Sequence, residues 1–233
     1  MVLYLRGDFM IPLIIILGIF MMAYMGIYYK LNIKIVFLFK IATSICFLVL
    51  GFVCFYKSEV NGNYPILIVI GLGFGFLGDI ILGLRRLCPK HKIVLYVFGL
   101  IMFFCGHIFY SMAFLSIAAY NLSLYFIATI ILTVPIIIAM KSICVNSNKV
   151  KYINYLYLTL LIFIIVITIM NLTKEITIVN VILLIGSLLF VGSDLILYFL
   201  YFMYKKDAKK LKMMNIASYY IAQTLFALSI YYL

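Results

Sequence analysis

Apolar runs close to 20 residues long follow one another down this chain, eight times in 233 residues. A helix of about 20 residues spans the roughly 30 Å of hydrocarbon in a bilayer. Lipid admits only segments whose backbone hydrogen bonds are satisfied internally, which for apolar runs of this length means helices. The recurrence therefore excludes a soluble fold, and composition agrees. The chain is 68% hydrophobic and 10% charged with a mean hydropathy of +1.29, whereas soluble domains carry about 25% charged residues. We expect one all-α integral membrane domain over residues 1–233, with eight transmembrane helices near Phe9–Tyr29, Ile33–Tyr56, Tyr64–Leu87, Ile93–Ala118, Leu122–Met140, Val150–Asn171, Ile176–Tyr204 and Leu211–Tyr232. The breaks use turn-forming residues: Asn61-Gly62-Asn63-Tyr64-Pro65, Cys88-Pro89-Lys90 and Asn146-Ser147-Asn148. The segment Met1–Lys30 has Arg6 before an apolar run but no small-residue cleavage site, so it reads as a retained first helix.

The net charge of +12 reflects topology better than nucleic-acid binding, because the basic residues sit in short connections. Fourteen of the 18 Lys and Arg lie in the first, third, fifth and seventh connections. Only Arg6, Lys57 and Lys174 fall on the opposite side. The positive-inside rule then predicts a cell-membrane protein with both termini outside the cytoplasm.

Two of the six acids, Asp79 and Asp194, stand alone inside apolar helices; Asp8, Glu59, Glu175 and Asp207 fall near helix ends or in connections. A carboxylate within a bilayer costs at least about 2.5–3.5 kcal/mol on insertion scales, so it faces protein and has work to do. Both follow the same short string, Phe76-Leu77-Gly78-Asp79 and Phe190-Val191-Gly192-Ser193-Asp194, 115 residues apart. That spacing suits two parallel four-helix repeats, or a coincidence of short strings in an apolar chain. Counting 1.5 Å per residue from the basic helix ends puts Asp79 roughly 10 Å deep, Asp194 and Gln223 roughly 16 Å, and Lys40 roughly 9 Å. These four share the cytoplasmic half. His107 comes out roughly 22 Å from Lys92, nearer the outer half, and joins the cluster only if its helix tilts or starts late. Gly75 and Gly83 flank Asp79 and leave space beside it. Ser187, Tyr198 and Tyr201 share the face of Asp194, Tyr110 and Ser111 that of His107, and Thr43 and Ser44 that of Lys40. An Asp–Lys pair could instead only lock helices together, and Lys40 could snorkel to the interface.

Several motifs fail on context. Gly73-Phe74-Gly75-Phe76-Leu77-Gly78 spells a dinucleotide fingerprint, but it lies within an apolar helix with no preceding strand. Gly71 and Gly75 point to close helix packing instead. There is no nucleophile-elbow serine, and His91 and His107 cannot make a three-histidine zinc site. The five cysteines are scattered and odd in number, which argues against a disulfide framework. Acid–base chemistry by carboxylates remains, or transport.

The chain resembles the YhhN family of membrane proteins, the lysoplasmalogenase family. The likeness rests on Phe76-Leu77-Gly78-Asp79-Ile80-Ile81-Leu82, on Phe98-Gly99 through Gly106-His107-Ile108-Phe109-Tyr110, on Phe190 through Ser193-Asp194, and on Ala222-Gln223. Family members often carry Lys-Pro in the second helix; here Lys40 is followed by Ile41. The resemblance implies an eight-helix enzyme that hydrolyses the vinyl ether bond of lysoplasmalogen, giving a fatty aldehyde and glycerophosphoethanolamine or glycerophosphocholine. Vinyl ether hydrolysis passes through an oxocarbenium ion, as glycoside hydrolysis does with its two carboxyl groups. The expected catalytic pair is Asp79 and Asp194, one protonated and one ionised. Lys40, His107, Tyr110, Ser193, Tyr198, Gln223 and Arg86 are the expected supporting or substrate-binding residues. The expected partners are the lysophospholipid and the surrounding lipid, with no metal or redox cofactor. A small transporter with intramembrane acids is the main rival reading, and a protein whose Asp residues only pair helices is the third.

Overall fold

In the computed structural model, residues 10–59, 62–118, 120–143, 151–202 and 208–233 are described. Arg6, Asp8, Cys144, Lys149, Lys205, Lys206 and Asp207 lie outside them. The described residues form eight α-helices and no strand. They are α1 (Met10–Ile27), α2 (Ile33–Lys57), α3 (Tyr64–Leu87), α4 (Lys92–Ser116), α5 (Leu122–Ile143), α6 (Lys151–Lys174), α7 (Ile178–Phe202) and α8 (Lys209–Tyr232), with a single 3-10 turn at Pro89–His91. Each predicted helix is present, and every boundary moves by three residues or fewer. The chain is an all-α, multi-pass membrane protein. Pro65 starts α3, where a missing N–H costs nothing. Pro135 lies inside α5.

Six helices are long and apolar enough by composition to cross a membrane, and Leu122–Ile138 in α5 forms a shorter apolar stretch. α8 falls short on composition for a physical reason. It packs against α1, α2, α3 and α7 and buries Asn215, Gln223, Thr224 and Ser229 among them. A helix surrounded by protein can carry polar groups that a lipid-facing helix cannot.

The packing repeats between halves. α1–α2, α2–α3 and α3–α4 contacts are matched by α5–α6, α6–α7 and α7–α8, and the α2–α8 crossing is matched by α6–α4. This is the pattern expected of two equivalent four-helix units, each second helix meeting the last helix of the other. The match is incomplete, because α8 also meets α1 and α3. Small residues set the closest approach: a Cβ on Gly106 would stand 3.2 Å from the Gly71 carbonyl oxygen, so α3 and α4 pack nearly backbone to backbone, as the Gly71/Gly75 spacing predicts.

Candidate functional site

Asp79 is buried, 2% exposed, on the inner face of α3. The Lys40 ammonium reaches its Oδ1 at 2.9 Å from α2. Ser44, one turn on from Lys40, donates to Oδ2 at 2.7 Å, and Tyr220 of α8 lies 3.1 Å from the Ser44 hydroxyl. Lys40 and Ser44 are four residues apart and therefore share a helix face, so two donors from one helix grip both carboxylate oxygens. A buried ion pair of this kind survives desolvation only when its remaining lone pairs are also satisfied.

Asp194 of α7 is held differently. Tyr157 of α6 donates to its Oδ2, and His107 Nε2 lies 3.6 Å from the same oxygen and 3.1 Å from the Tyr157 hydroxyl. With the Tyr157 proton directed at Asp194, Nε2 must carry a hydrogen to bond the phenol oxygen. His107 Nδ1 is buried with no hydrogen-bond partner among the described residues. Next to Asp194, Ser193 clasps α8: its hydroxyl donates to the Asn215 carbonyl at 3.0 Å, and Asn215 Nδ2 returns to the Ser193 carbonyl at 2.9 Å.

His107 thus belongs with Asp194, contrary to the depth count that set it in the outer half. The count assumed level helix ends and ignored side-chain direction. Lys92, Ile93 and Val94 in the first turn of α4 are exposed. Side chains also lean toward the N-terminus of their helix. His107 therefore leans back toward the basic end, while Asp194, on a helix entering from the other side, leans away from it. The two meet.

Both carboxylates line one cavity, which also receives Lys40, Arg85, Arg86 and Lys212. Beside it lies an apolar cavity between α4, α6 and α7, lined by residues such as Leu100, Leu158, Leu161 and Tyr198. Leu82, Phe103, Asp194 and Leu197 border both. A polar chamber and an apolar one therefore meet at an acid.

Other expected residues support the site from behind. Gln223 touches neither acid; it accepts from Tyr110 at 2.6 Å and donates to Tyr219 at 3.2 Å. The space expected beside Gly75 is filled, because a Cβ there would meet Gln223 Nε2 at 2.5 Å. Gly83 does line the polar cavity with Asp79, and a Cβ on it would meet the Phe37 ring at 2.6 Å. Arg86 lies with its guanidinium carbon 4.3 Å from the centre of the Tyr28 ring and lines the polar cavity. Cys46, Cys54, Cys88 and Cys105 are free thiols.

The sequence model of the YhhN family matches residues 35–230, which takes in all of α3 to α7 and nearly all of α2 and α8. The chain belongs to the YhhN family. No curated protein and no solved structure matches it. In this YhhN family member, sequence reading missed Tyr157, Asn215 and Lys212. Tyr157 is one of 20 tyrosines, which hide it. Lys212 reads as one more basic residue at a membrane face. Asn215 offered a weak signal as an amide in the first turns of a helix.

Proposed function

We propose that this protein is a membrane-embedded hydrolase that cleaves the vinyl ether bond of a lysoplasmalogen, releasing a fatty aldehyde and the glycerophospho head group. The observation that carries this reading is the junction of the two cavities. A one-chain ether lipid has an apolar tail, a phosphate and one reactive bond between them. The tail suits the apolar cavity, the phosphate suits the basic chamber, and the vinyl ether then falls beside Asp194. The basic end of the bundle faces the cytoplasm in this reading, so the lipid enters from the inner leaflet with Arg86 near its phosphate.

The two acids take different parts. Asp194, next to Tyr157 and His107 and outside the Lys40–Asp79 ion pair, donates a proton to the alkenyl carbon two bonds from the ether oxygen. The C=C electrons form the new C–H bond and leave an oxocarbenium ion. Asp79, held as a carboxylate by Lys40 and Ser44, opposes that positive charge and takes a proton from the attacking water, giving a hemiacetal. Collapse returns the hemiacetal hydroxyl proton to Asp194 and sends the Asp79 proton to the leaving glycerol oxygen. Atoms and charges balance, and both acids return to their starting states. General acid–base assistance of this kind is worth about 10²–10⁴-fold.

Aldehyde release from lysoplasmalogen by the purified protein in detergent tests the reading. Turnover by the wild-type chain is expected, with a matched two-chain plasmalogen poorer because a second chain overfills the apolar cavity. Uptake of lipid or solute into proteoliposomes without any aldehyde would assign a carrier instead.

A further inference from the structure

The apolar cavity holds a polar group that the fold leaves unused. Leucines and a phenylalanine make up most of its lining, yet Asn154 of α6 stands among them. It precedes Tyr157 by three residues and so shares the helix face that bonds Asp194. The Tyr96 hydroxyl, from α4, donates to Asn154 Oδ1 at 3.4 Å, which leaves the N–H groups on the other side of the amide. Asn154 Nδ2 is buried and has no hydrogen-bond partner among the described residues. Other amides of the bundle are engaged. Asn171 Nδ2 donates to the Phe114 carbonyl, Asn180 Nδ2 to the Glu175 carbonyl, Asn215 Nδ2 to the Ser193 carbonyl and Gln223 Nε2 to Tyr219. Buried polar groups in folded proteins nearly always find a partner. An amide that tied helices together would use its nitrogen as these four do, and Asn154 does not.

A one-chain ether lipid brings a fitting acceptor, because its sn-2 position carries a free hydroxyl close along the chain to the vinyl ether. We propose that Asn154 is a specificity-determining residue that donates from Nδ2 to this sn-2 hydroxyl. With the vinyl ether at Asp194, the glycerol lies along the stretch of wall that Asp194, Tyr157 and Asn154 share. The hydroxyl oxygen satisfies the buried amide, and Tyr96 steadies that amide from its carbonyl side. A lipid without the hydroxyl leaves the N–H groups unpaired in an apolar wall. A site built to hydrogen-bond a hydroxyl rejects an analogue lacking it for this reason. An acyl ester at the same position presses a hydrocarbon chain against the amide, which disfavours a two-chain lipid as well. Selection of the one-chain lipid then has a polar source in addition to chain volume. This inference rests on the vinyl ether reading for its substrate and concerns a single contact within it.

The test compares a 1-alkenyl lysolipid with its 2-deoxy counterpart, identical except for the missing hydroxyl, on wild-type protein in detergent. One neutral hydrogen bond is worth about three- to tenfold, so kcat/KM for the deoxy lipid is expected to be lower by that factor. Equal values on the two lipids would overturn the inference. Asn154→Leu removes the donor at similar volume and should erase the difference between the two lipids. Asn154→Ala makes the same test if leucine prevents folding. A difference that survives loss of the amide would contradict the assignment, whatever the variant does to overall turnover. Binding of the non-hydrolysable 1-O-alkyl lysolipid and its 2-deoxy form, read by calorimetry, is expected in the same order. Silence of both alkenyl lipids would sink the hydrolase reading, while the binding order would still decide the role of Asn154. Tighter binding of the hydroxyl form, lost on removing the amide, supports the contact; equal binding, or none, overturns it.

Discussion

Asp79 and Asp194 occupy matching places in the two halves of the bundle and are held by different chemistry. Each sits on the third helix of its half and is approached from the second helix of that half and the last helix of the other. Asp79 meets α2 directly and α8 through Tyr219 and, by way of Ser44, Tyr220; Asp194 meets α6 and α4. Both acids therefore face a phenol, but Asp79 adds an ammonium and a serine, and Asp194 adds an imidazole. An ion pair favours the charged form of a carboxylate, whereas a phenol and an imidazole can each donate a hydrogen bond or accept one. The difference teaches how one helix frame, used twice, gives two carboxylates different surroundings. The backbone sets where the acids stand, and the residues facing them set what each can do with a proton.

Replacing either acid should have the largest effect. Asp79→Asn and Asp194→Asn keep the side-chain shape but remove proton exchange, and each should lower aldehyde release by about 10²–10⁴-fold while the protein still elutes as a folded species in detergent. The comparison sharpens on stability. Lys40→Met leaves a buried carboxylate unpaired and should destabilise the protein by about 3–5 kcal/mol, read by thermal unfolding, with Asp79→Asn similarly harmful through the stranded lysine. Asp194→Asn still offers an oxygen to Tyr157 and should unfold near the wild-type temperature. Equal losses from the two Asn variants would break the distinction between an ion-paired acid and a hydrogen-bonded one. Tyr157→Phe removes one donor to Asp194, an interaction worth about 0.5–1.5 kcal/mol, and should slow turnover more than it lowers stability. Gly75→Ala should change turnover per folded molecule least, although Gln223 must shift at about 1–3 kcal/mol of strain.

Much of this was legible before any coordinates. The eight apolar periods fixed the helices because a bilayer sets their length, and the repeated Phe/Gly/Asp string marked the helices that carry the acids. Lys40 and Ser44 were visible because they share a face one turn apart. What escaped was anything decided by how helices are offset along their axes. His107 reaches Asp194 because side chains on two antiparallel helices lean toward each other. Gln223, the same depth as Asp194 by counting, points into a tyrosine network with Tyr110 and Tyr219. Tyr157 was lost among residues of its own kind. A depth count ranks layers, but it cannot choose partners within a layer.

The central claim is that an acid here protonates carbon, and one measurement addresses that step directly. Lysoplasmalogen is turned over by the wild-type protein in deuterium oxide, and the aldehyde is trapped at once by reduction to the alcohol. The account predicts one deuterium at C2, delivered to a single face, and loss of this product in Asp194→Asn. Aldehyde without deuterium at C2, label on both faces equally, or undiminished labelling in Asp194→Asn would contradict it.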